Sequence, residues 1–258
     1  IAGSVDSIAR ITPDVLLACH RAFYTPSNMC LVVCGTADFD ALVQQAEALT
    51  PRTPAPTVVR HYGARRPEAA RAVTERRMAV SQPTCLVGFK DAALAPGESR
   101  LRRQLLGDLA ARILCGSTAP LFAALYADRL ISRRFACSYA ILPEAAAVSF
   151  GGESRDPAAV RDRLAAACRD YAARGVPEDL FTRIKKACYG LNVRLLDQPD
   201  ELCQAQAALS PAGECCLDFA AALEDITAAD VQAMFARWAE PGRVSLSAVL
   251  PCTDEENA

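Results

Sequence analysis

The chain has 258 residues, of which 52% are hydrophobic and 22% are charged, and 28 basic residues against 30 acidic ones give a net charge of −2. This composition predicts a globular protein with a sizeable core and excludes a disordered or collagen-like chain. A nearly neutral chain has no strong field to attract a polyanion, which argues against a nucleic-acid partner.

Neither a membrane span nor a signal peptide is predicted. We find no apolar run that approaches the length of about 18 residues that a transmembrane helix needs. The first four residues, Ile-Ala-Gly-Ser, lack an initiator Met and the basic start of a signal peptide, so we expect an excised segment with no membrane partner.

Cysteine is unusually common, with twelve residues in the chain. None of them forms a Cys-x-x-Cys pair, and most lie in apolar runs or at helical spacing with Leu, Ala and Val, where Cys packs as a small hydrophobe. Disulfide frameworks are typical of shorter secreted chains. We therefore expect reduced thiols in a core and a cytoplasmic protein.

The first fifty residues show a helix, a strand and a second helix. Thr12 as N-cap and Pro13 in the first turn predict a helix that ends near Tyr24. The apolar run 29–34, closed by Gly35, predicts a buried strand. A further helix is predicted over 39–48.

A proline-rich stretch separates this part from the rest of the chain. Four prolines lie between 50 and 67, which is typical of an extended linker. We predict the tail of one α+β domain at 1–50, a linker at 51–69, a complete second α+β domain at 70–250 and a short tail at 251–258.

The pattern of the second domain predicts both strands and helices, which places it in the α+β class. Strands are predicted over 71–80, 84–89, 137–142, 147–152 and 244–250. Helices are predicted over 99–115, 119–131, 156–175, 177–195 and 227–239, with more helix through Leu209 and Ala222. A hairpin of adjacent strands predicts a mostly antiparallel sheet with helices packed on one face.

One helix of the second domain carries a long apolar stripe. Its residues recur at spacings of three and four and are Leu180, Ile184, Cys188, Leu191 and Leu195. This periodicity predicts one continuous buried face.

An internal repeat links the two ends of the chain at an offset of 215 residues. Ile11-Thr12, Phe23, Pro26 and Leu31 recur as Ile226-Thr227, Trp238, Pro241 and Leu246. Both copies read as a capped helix, a proline turn and a buried strand, which indicates two sister domains. We expect Phe23 and Trp238 to be equivalent buried anchors.

The sequence resembles the pitrilysin or insulinase family of zinc metallopeptidases, the inverzincins. The resemblance lies in the strings 3–8, 23–29 and 32–35, which look like the end of the family's first domain. The strings 116–118, 121–131, 150–152 and 185–190 look like its second domain. The most specific piece is Phe-Tyr-x-Pro-x-Asn-Met at 23–29.

In this family the zinc ligands are two His of a His-x-x-Glu-His helix and a downstream Glu, and the Glu between the histidines activates water. The only histidines of this chain are His20 and His61, which cannot form that motif. The resemblance therefore implies that zinc, in the full-length protein, belongs to an upstream part, and we expect no metal ligand and no catalytic residue in this segment.

Other candidate sites each have a simpler interpretation. His20 lies beside the apolar stripe of its helix. Neither a Ser nor a Cys nucleophile stands near it together with an acidic partner, which favours a structural role. The neighbours Cys215 and Cys216 have no third ligand close in sequence, which favours ordinary thiols. Gly116-Ser117-Thr118 is not followed by Gly-Lys and joins two helices, so it is not a phosphate loop.

Basic residues outnumber acidic ones between 100 and 134. The basic group is Arg100, Arg102, Arg103, Arg112, Arg129, Arg133 and Arg134. It marks either a surface for an acidic peptide or partner, or an ordinary solvated helix face.

The chain departs from its family at one pair of positions. Half-units without zinc carry a Leu-Arg-x-x-x-x-Leu-x-Tyr stretch whose Arg and Tyr grip the substrate. Here Tyr126 stands where the resemblance leads us to expect Arg, and Ser132 or Arg133 where it leads us to expect Tyr. This favours a zinc-bearing half-unit whose partner supplies the pair. Our candidates for side chains that face the substrate chamber are Ser117, Tyr126 and Arg129.

The resemblance implies the carboxyl-terminal, non-zinc-binding part of a peptidase that hydrolyses peptides, with the missing upstream domain and a second half-unit, in a homodimer or heterodimer, as partners. The alternative is a proteolytically inactive structural or companion subunit of the same family. A free-standing binding module is the third possibility. Whether the enzyme is active therefore depends on sequence upstream of this segment.

Overall fold

The computed structural model describes residues 3–50, 58–63 and 66–252. Parts of the predicted linker (51–57 and 64–65) and most of the predicted tail (253–258) lie outside the described residues. The division into domains stays a prediction.

The helices are α1 Val5–Ala9, α2 Pro13–Phe23, α3 Phe39–Leu49, α4 Arg100–Cys115, α5 Pro120–Ala127, α6 Pro157–Arg174, α7 Glu178–Leu195, α8 Pro199–Leu209, α9 Phe219–Glu224 and α10 Ala228–Trp238. The strands are β1 Val73–Met78, β2 Thr84–Asp91, β3 Ala136–Leu142, β4 Ala145–Glu153 and β5 Val244–Pro251. Short 3₁₀ turns span Pro26–Asn28, Ser210–Ala212 and Cys216–Asp218.

The five strands form one sheet in the order β1-β5-β2-β4-β3. Only the pair of β1 and β5 is parallel among these strands, and the other three pairs are antiparallel. The last strand of the chain thus enters the middle of the sheet, between the first two. This topology confirms the predicted mostly antiparallel sheet and the α+β class.

Helices cover one face of this sheet. Along β2 the buried residues are Cys85, Val87, Phe89 and Asp91, while Leu86 on the opposite face is 51% exposed. Because side chains alternate between the faces of a strand, this pattern identifies a single helix-covered face. Helices α4, α6 and α10 pack on it, and α7 and α9 pack on α4.

Helix α4 approaches the edge strand β3 very closely. A Cβ added to Gly107 would lie 2.1 Å from Cδ1 of Tyr139, so no larger residue fits under that ring.

Residues 100–127 are long and apolar enough to cross a membrane, although no membrane span is predicted from the sequence. Over half of the most apolar window is buried in the protein, as in the core helix of a globular protein.

A buried carboxylate joins four elements below the sheet. Asp91, at the end of β2, is 2% exposed and accepts from the hydroxyl of Tyr139 at 2.8 Å. Its carboxylate also accepts a hydrogen bond from Nε of Arg237, on α10, at 3.1 Å. Nη1 of Arg103, on α4, lies 3.6 Å from the same carboxylate. Arg103 in turn pairs with Glu98 at 2.9 Å.

Ionisation of this group is favoured by its partners. Desolvation raises the pKa of Asp91, but the charges of Arg237 and Arg103 and the hydrogen bonds from Arg237 and Tyr139 outweigh it, so the pKa lies below its usual value. The pKa of the Tyr139 phenol is raised, mainly by burial and then by the Asp91 charge. Both shifts describe a carboxylate that stays charged in the core.

The amino-terminal part keeps its predicted helices but not its strand. Helix α2 begins after the Thr12 cap, whose side chain accepts from the amide of Val15 at 3.4 Å. The prediction of a buried strand over 29–34 is wrong, since these residues pair with no described strand and Leu31 is 73% exposed. An apolar run becomes a strand only where a neighbour accepts its backbone hydrogen bonds.

The repeat is confirmed for its helices and wrong for its strands and anchors. Helices α2 and α10 each have 11 residues, start at the same offset and carry Thr12 and Thr227 as N-caps. However, only the second copy continues into a strand, and Phe23 is 52% exposed while Trp238 is 1% exposed. The structure therefore gives no support for equivalent anchors in this chain.

Two helices differ from their predicted extent. Helix α5 ends at Ala127 rather than 131, because a left-handed turn at Arg129 stops it and Ile131 bridges to Ser154. The stripe of α7 is buried only as far as Cys188, and Leu191 is 40% exposed. The second half of α7 extends past the described core.

We expect the Trp238→Ala substitution to lower the free energy of unfolding by about 3–5 kcal/mol, because it empties a closed core site. The indole stacks near Phe89 and Tyr139 and meets Phe235 edge-on. Phe23→Ala, the matched variant in the other copy, should cost only about 1 kcal/mol because half of that ring is exposed. Urea denaturation measures both values, and equal losses would contradict the different burial.

Replacing Asp91 by Asn should lower the free energy of unfolding by about 3–5 kcal/mol at pH 7, because Arg103 and Arg237 both lose their contact with a buried carboxylate. The contribution of a carboxylate with a lowered pKa is present above the unfolded value, near 3.9, and is lost as pH falls through the folded value. The difference between wild type and Asp91→Asn should thus shrink below about pH 4. Tyr139→Phe, which removes one donor only, should cost about 1 kcal/mol.

Candidate functional site

The candidate site lies around α5, next to the turn that follows α4. Pro120 starts α5, and Phe122 and Leu125 anchor it in the core, at 7% and 0% exposure. The neighbouring Tyr126 points outward and is 41% exposed. Burial of one helix face therefore fixes where the phenol is presented.

A cavity of about 310 Å³ opens beside this helix. It is lined by Ser117, Phe122, Tyr126 and Arg133. The aromatic ring of Phe122 gives it an apolar wall, and the three other residues bring hydroxyl and guanidinium groups. Two of the three predicted chamber candidates, Ser117 and Tyr126, thus lie together.

Tyr126 and Arg133 are in direct contact. Nε of Arg133 donates to the Tyr126 hydroxyl at 3.1 Å, and the guanidinium carbon lies 5.7 Å from the centre of the ring. Tyr126 stands where the family resemblance leads us to expect Arg, and Arg133 is one of the two residues, with Ser132, that stand where it leads us to expect Tyr.

The third candidate, Arg129, has a different place. It does not line the cavity but holds the turn between Tyr126 and Arg133, with a positive φ of 56°. Its amide donates to the Tyr126 carbonyl at 3.0 Å, and the Leu130 amide donates to the Leu125 carbonyl at 2.9 Å. This is the Schellman pattern of helix termination, in which glycine usually takes the left-handed position.

Six of the seven arginines that the sequence analysis grouped together divide into two sets. On α4, Arg102 pairs with Asp230 at 3.1 Å and Arg103 pairs with Glu98 and Asp91, while Arg100 donates to the carbonyl of Ile141 at 3.0 Å. These guanidinium groups serve the fold.

The second set follows α5. In the described part of the chain, no carboxylate pairs with Arg129, Arg133 or Arg134. The nearby Asp128 is held by Arg163 of α6. The positive charge that the sequence suggested for an acidic partner is therefore concentrated at the end of α5.

The described residues do not fit a zinc ion. They contain no group of three or more His, Cys, Asp or Glu side chains that could hold a metal. His20 stacks on Tyr24 at 4.9 Å, and His61 is exposed in another segment. Cys216 is buried and its amide donates to Gln206 at 2.9 Å, as in an ordinary loop.

All twelve cysteines are free. Burial raises the pKa of the Cys85 thiol to about 11 and that of the Cys168 thiol to about 12. Thiols that stay protonated are poor nucleophiles and poor metal ligands. The buried cysteines are therefore core residues.

The sequence did not reveal the contact between Tyr126 and Arg133, although it singled out both residues. Nor did it identify the Asp91 network, whose members are up to 146 residues apart. One signal was available, since Asp91 continues the inward alternation of Cys85, Val87 and Phe89.

The sequence of this chain is similar to sequences of known peptidases. A family profile described as the Peptidase M16 inactive domain matches residues 10–188. The chain is 26% identical over 258 residues to an uncharacterized zinc protease, YmfH, of Bacillus subtilis strain 168, covering 97% of this chain and 59% of that protein.

Solved structures share the fold. A structure described as an M16-like peptidase from Alicyclobacillus acidocaldarius has a TM-score of 0.89 at 28% identity, covering 98% of this chain and 61% of that one. A protease from Helicobacter pylori has a TM-score of 0.77 at 14% identity, covering 96% and 61%. The chain spans about three-fifths of the length of these relatives. The profile matches residues 10–188, which is more than half of the chain, so this chain belongs to the M16 peptidase family and contains its inactive domain.

Proposed function

We propose that the chain is the non-zinc-binding part of an insulinase-type zinc peptidase that hydrolyses peptides, and that it forms part of the wall of the substrate chamber. The observation that carries this proposal is the match of the inactive-domain profile over 10–188. The similarity to a zinc protease over nearly the whole chain supports it further.

Zinc would be held by the upstream part of the full-length protein. The described residues offer no suitable donor group, so no step of hydrolysis is assigned to a side chain of this segment. Its contribution would be to position a peptide by binding, which adds to catalysis by holding the reactants in the correct geometry.

The upstream part would also cover the amino-terminal surface of this chain. An apolar groove of about 790 Å³ lies between residues 31–37 and α3, and its lining includes Leu31, Val33, Phe39 and Val43. Leu31, Val33 and Phe39 are each more than half exposed, and contiguous exposed apolar side chains mark an interaction site. About two-fifths of each relative lies outside the match, and we infer that the corresponding upstream segment fills the groove and pairs with residues 29–34.

A second half-unit, in a homodimer or heterodimer, would close the chamber.

We also propose a cytoplasmic location, supported by twelve free thiols. Extracellular proteins commonly convert such residues to disulfides.

The groove can be tested with Leu31→Asp in two proteins. In the 258-residue chain the change should leave the free energy of unfolding within about 0.5 kcal/mol, because Leu31 is exposed. In the full-length protein it should cost about 2 kcal/mol or more, since a charge would be buried. Leu142→Asp, at an exposed position of β3, is the control and should act alike in both. If Leu31→Asp lowers the free energy of unfolding equally in both proteins, the proposal that the upstream segment fills the groove is wrong.

The peptidase assignment predicts that the full-length protein cleaves a quenched-fluorescence peptide library and that a chelator abolishes this cleavage. Added Zn²⁺ should restore it, and the 258-residue chain alone should neither cleave nor hold stoichiometric zinc. A full-length protein that binds no zinc and cleaves nothing would instead support the alternative, a proteolytically inactive companion subunit. A native protein that begins at Ile1 would support a free-standing binding module.

A further inference from the structure

Several cysteines lie where the amino-terminal part of the chain meets helix α8 and the loop that follows it. Three separate segments carry them: the extended run 29–34, helix α8 and the loop 213–216. The thiols are those of Cys34, Cys203, Cys215 and Cys216, and all four are free.

Helix α8 brings the other two segments together. Cys203 and Gln206 are three residues apart on α8 and share one face of the helix. The Cys203 sulfur lies 3.9 Å from the carbonyl oxygen of Val32, in the extended run. Gln206 holds the loop, because its Nε2 donates to the carbonyl of Glu214 at 3.0 Å and its Oε1 accepts from the amide of Cys216 at 2.9 Å. The extended run and the loop therefore meet at the same face of α8.

Burial alternates along the extended run. Val32 and Cys34 are half-buried, whereas Leu31 and Val33 are mainly exposed and line the empty groove beside α3. Because successive side chains of an extended chain point to opposite sides, Val32 and Cys34 share the side away from that groove. The Cys34 thiol is thus turned toward the protein.

Cys216 is buried, and its thiol is affected by two neighbouring thiols. Burial raises the pKa of Cys216, and the charges of Cys215 and Cys34 raise it further. Cys215 is its neighbour in sequence, but Cys34 is distant in sequence and acts through space. Since such interactions weaken with distance, Cys34 lies close to Cys216. Cys34 is itself partly exposed, so a dissolved oxidant can reach it.

We propose that Cys34 and Cys216 form a reversible disulfide when the protein meets hydrogen peroxide. The thiolate of Cys34 attacks the O–O bond, which leaves a sulfenic acid on Cys34 and releases one water. The Cys216 thiol then condenses with the sulfenic acid, which forms the S–S bond and releases a second water. Two thiols and one peroxide thus give one disulfide and two waters, and thiol–disulfide exchange with a dithiol reverses the reaction.

The run that carries Cys34 is free to adopt the geometry of this bond. A disulfide requires Cα atoms within about 7 Å of each other. Residues 29–34 pair with no described strand, so no ladder of hydrogen bonds resists a shift of their backbone toward the loop. The bond would tie residues 3–50 to the sheet-bearing part of the chain. Transient disulfides of this kind suit a cytoplasmic protein.

The bond is detected by mass spectrometry of the 258-residue chain. The dilute, reduced protein is treated with hydrogen peroxide, free thiols are blocked with iodoacetamide, and the chain is cut with trypsin. Cys34 then lies in peptide 22–52 with Cys30, and Cys216 lies in peptide 195–237 with Cys203 and Cys215. We expect a disulfide between these two peptides that dithiothreitol removes. Oxidation of the exposed Cys30 without any link between the peptides would overturn the proposal.

Variants identify the two sulfur atoms. Cys34→Ser should lower the linked fraction by about tenfold or more, since no thiol remains to receive the oxidant beside the loop. Cys30→Ser, the matched control in the same peptide, should leave the fraction nearly unchanged. Equal losses for Cys30→Ser and Cys34→Ser would contradict the assignment of Cys34.

The partner thiol is identified in the same way. Cys216→Ala should remove the link and Cys203→Ala should keep it, with circular dichroism of the reduced proteins as the check on folding. Should the buried Cys216→Ala variant fail to fold, fragmentation of the linked peptides of the unsubstituted chain locates the partner instead. A link that joins Cys34 to Cys203 would show that the proposed pair is wrong.

The bond also predicts a change in stability. It closes a loop of about 180 residues, which restricts the unfolded chain. Peroxide should therefore raise the urea midpoint of Cys30→Ser and leave that of Cys34→Ser unchanged, and equal shifts in the two variants would assign the effect to other thiols. These measurements involve neither zinc nor peptide cleavage, so the disulfide and the proposed peptidase function can fail separately.

Discussion

The structure of the sheet-bearing part depends on one charged group, the Asp91 carboxylate. It ends the central strand β2 and is contacted by side chains from β3, α4 and α10. A buried charge must be matched by donors, because its desolvation is costly. The geometry that satisfies Asp91 therefore also fixes how α4 and α10 lie across the sheet, and Trp238 fills the space between Phe89 and Tyr139.

Helix α4 connects the Asp91 network to the candidate site, because its contacts also fix the position of α5. Gly107 lets the helix lie against the ring of Tyr139, and the carboxylate of Glu214 accepts from the amides of Arg100 and Leu101 at 2.7 and 2.8 Å. With both contacts in place, the end of α4 and the following turn deliver α5 to a fixed position. The Tyr126 phenol and the segment that returns Arg133 to it are thus carried by elements whose neighbouring residues are buried in the core, as a preorganised binding site requires.

The two parts of the chain differ in how their apolar residues are satisfied. In the sheet-bearing part they form one core around the helix-covered face, whereas in residues 3–50 Leu31, Phe39 and Leu49 are largely exposed. Exposed apolar surface beside an unpaired apolar run agrees with our proposal that the chain is part of a longer peptidase. In the proposed arrangement the sheet-bearing part would form part of the chamber wall, and the amino-terminal helices would complete the fold of the upstream part.

Local sequence by itself determined most elements: Thr12 and Thr227 cap helices of equal length, and the string at 23–29 indicated the family. Other features were decided by tertiary structure. The run at 29–34 has strand composition yet forms no strand, because a strand needs a partner for its backbone groups. The contact of Tyr126 with Arg133 arises from the left-handed turn at Arg129, and the Asp91 network joins residues distant in sequence. Periodicity reports which residues are apolar, but only the packed fold decides which polar groups meet, because those contacts depend on the relative placement of whole elements.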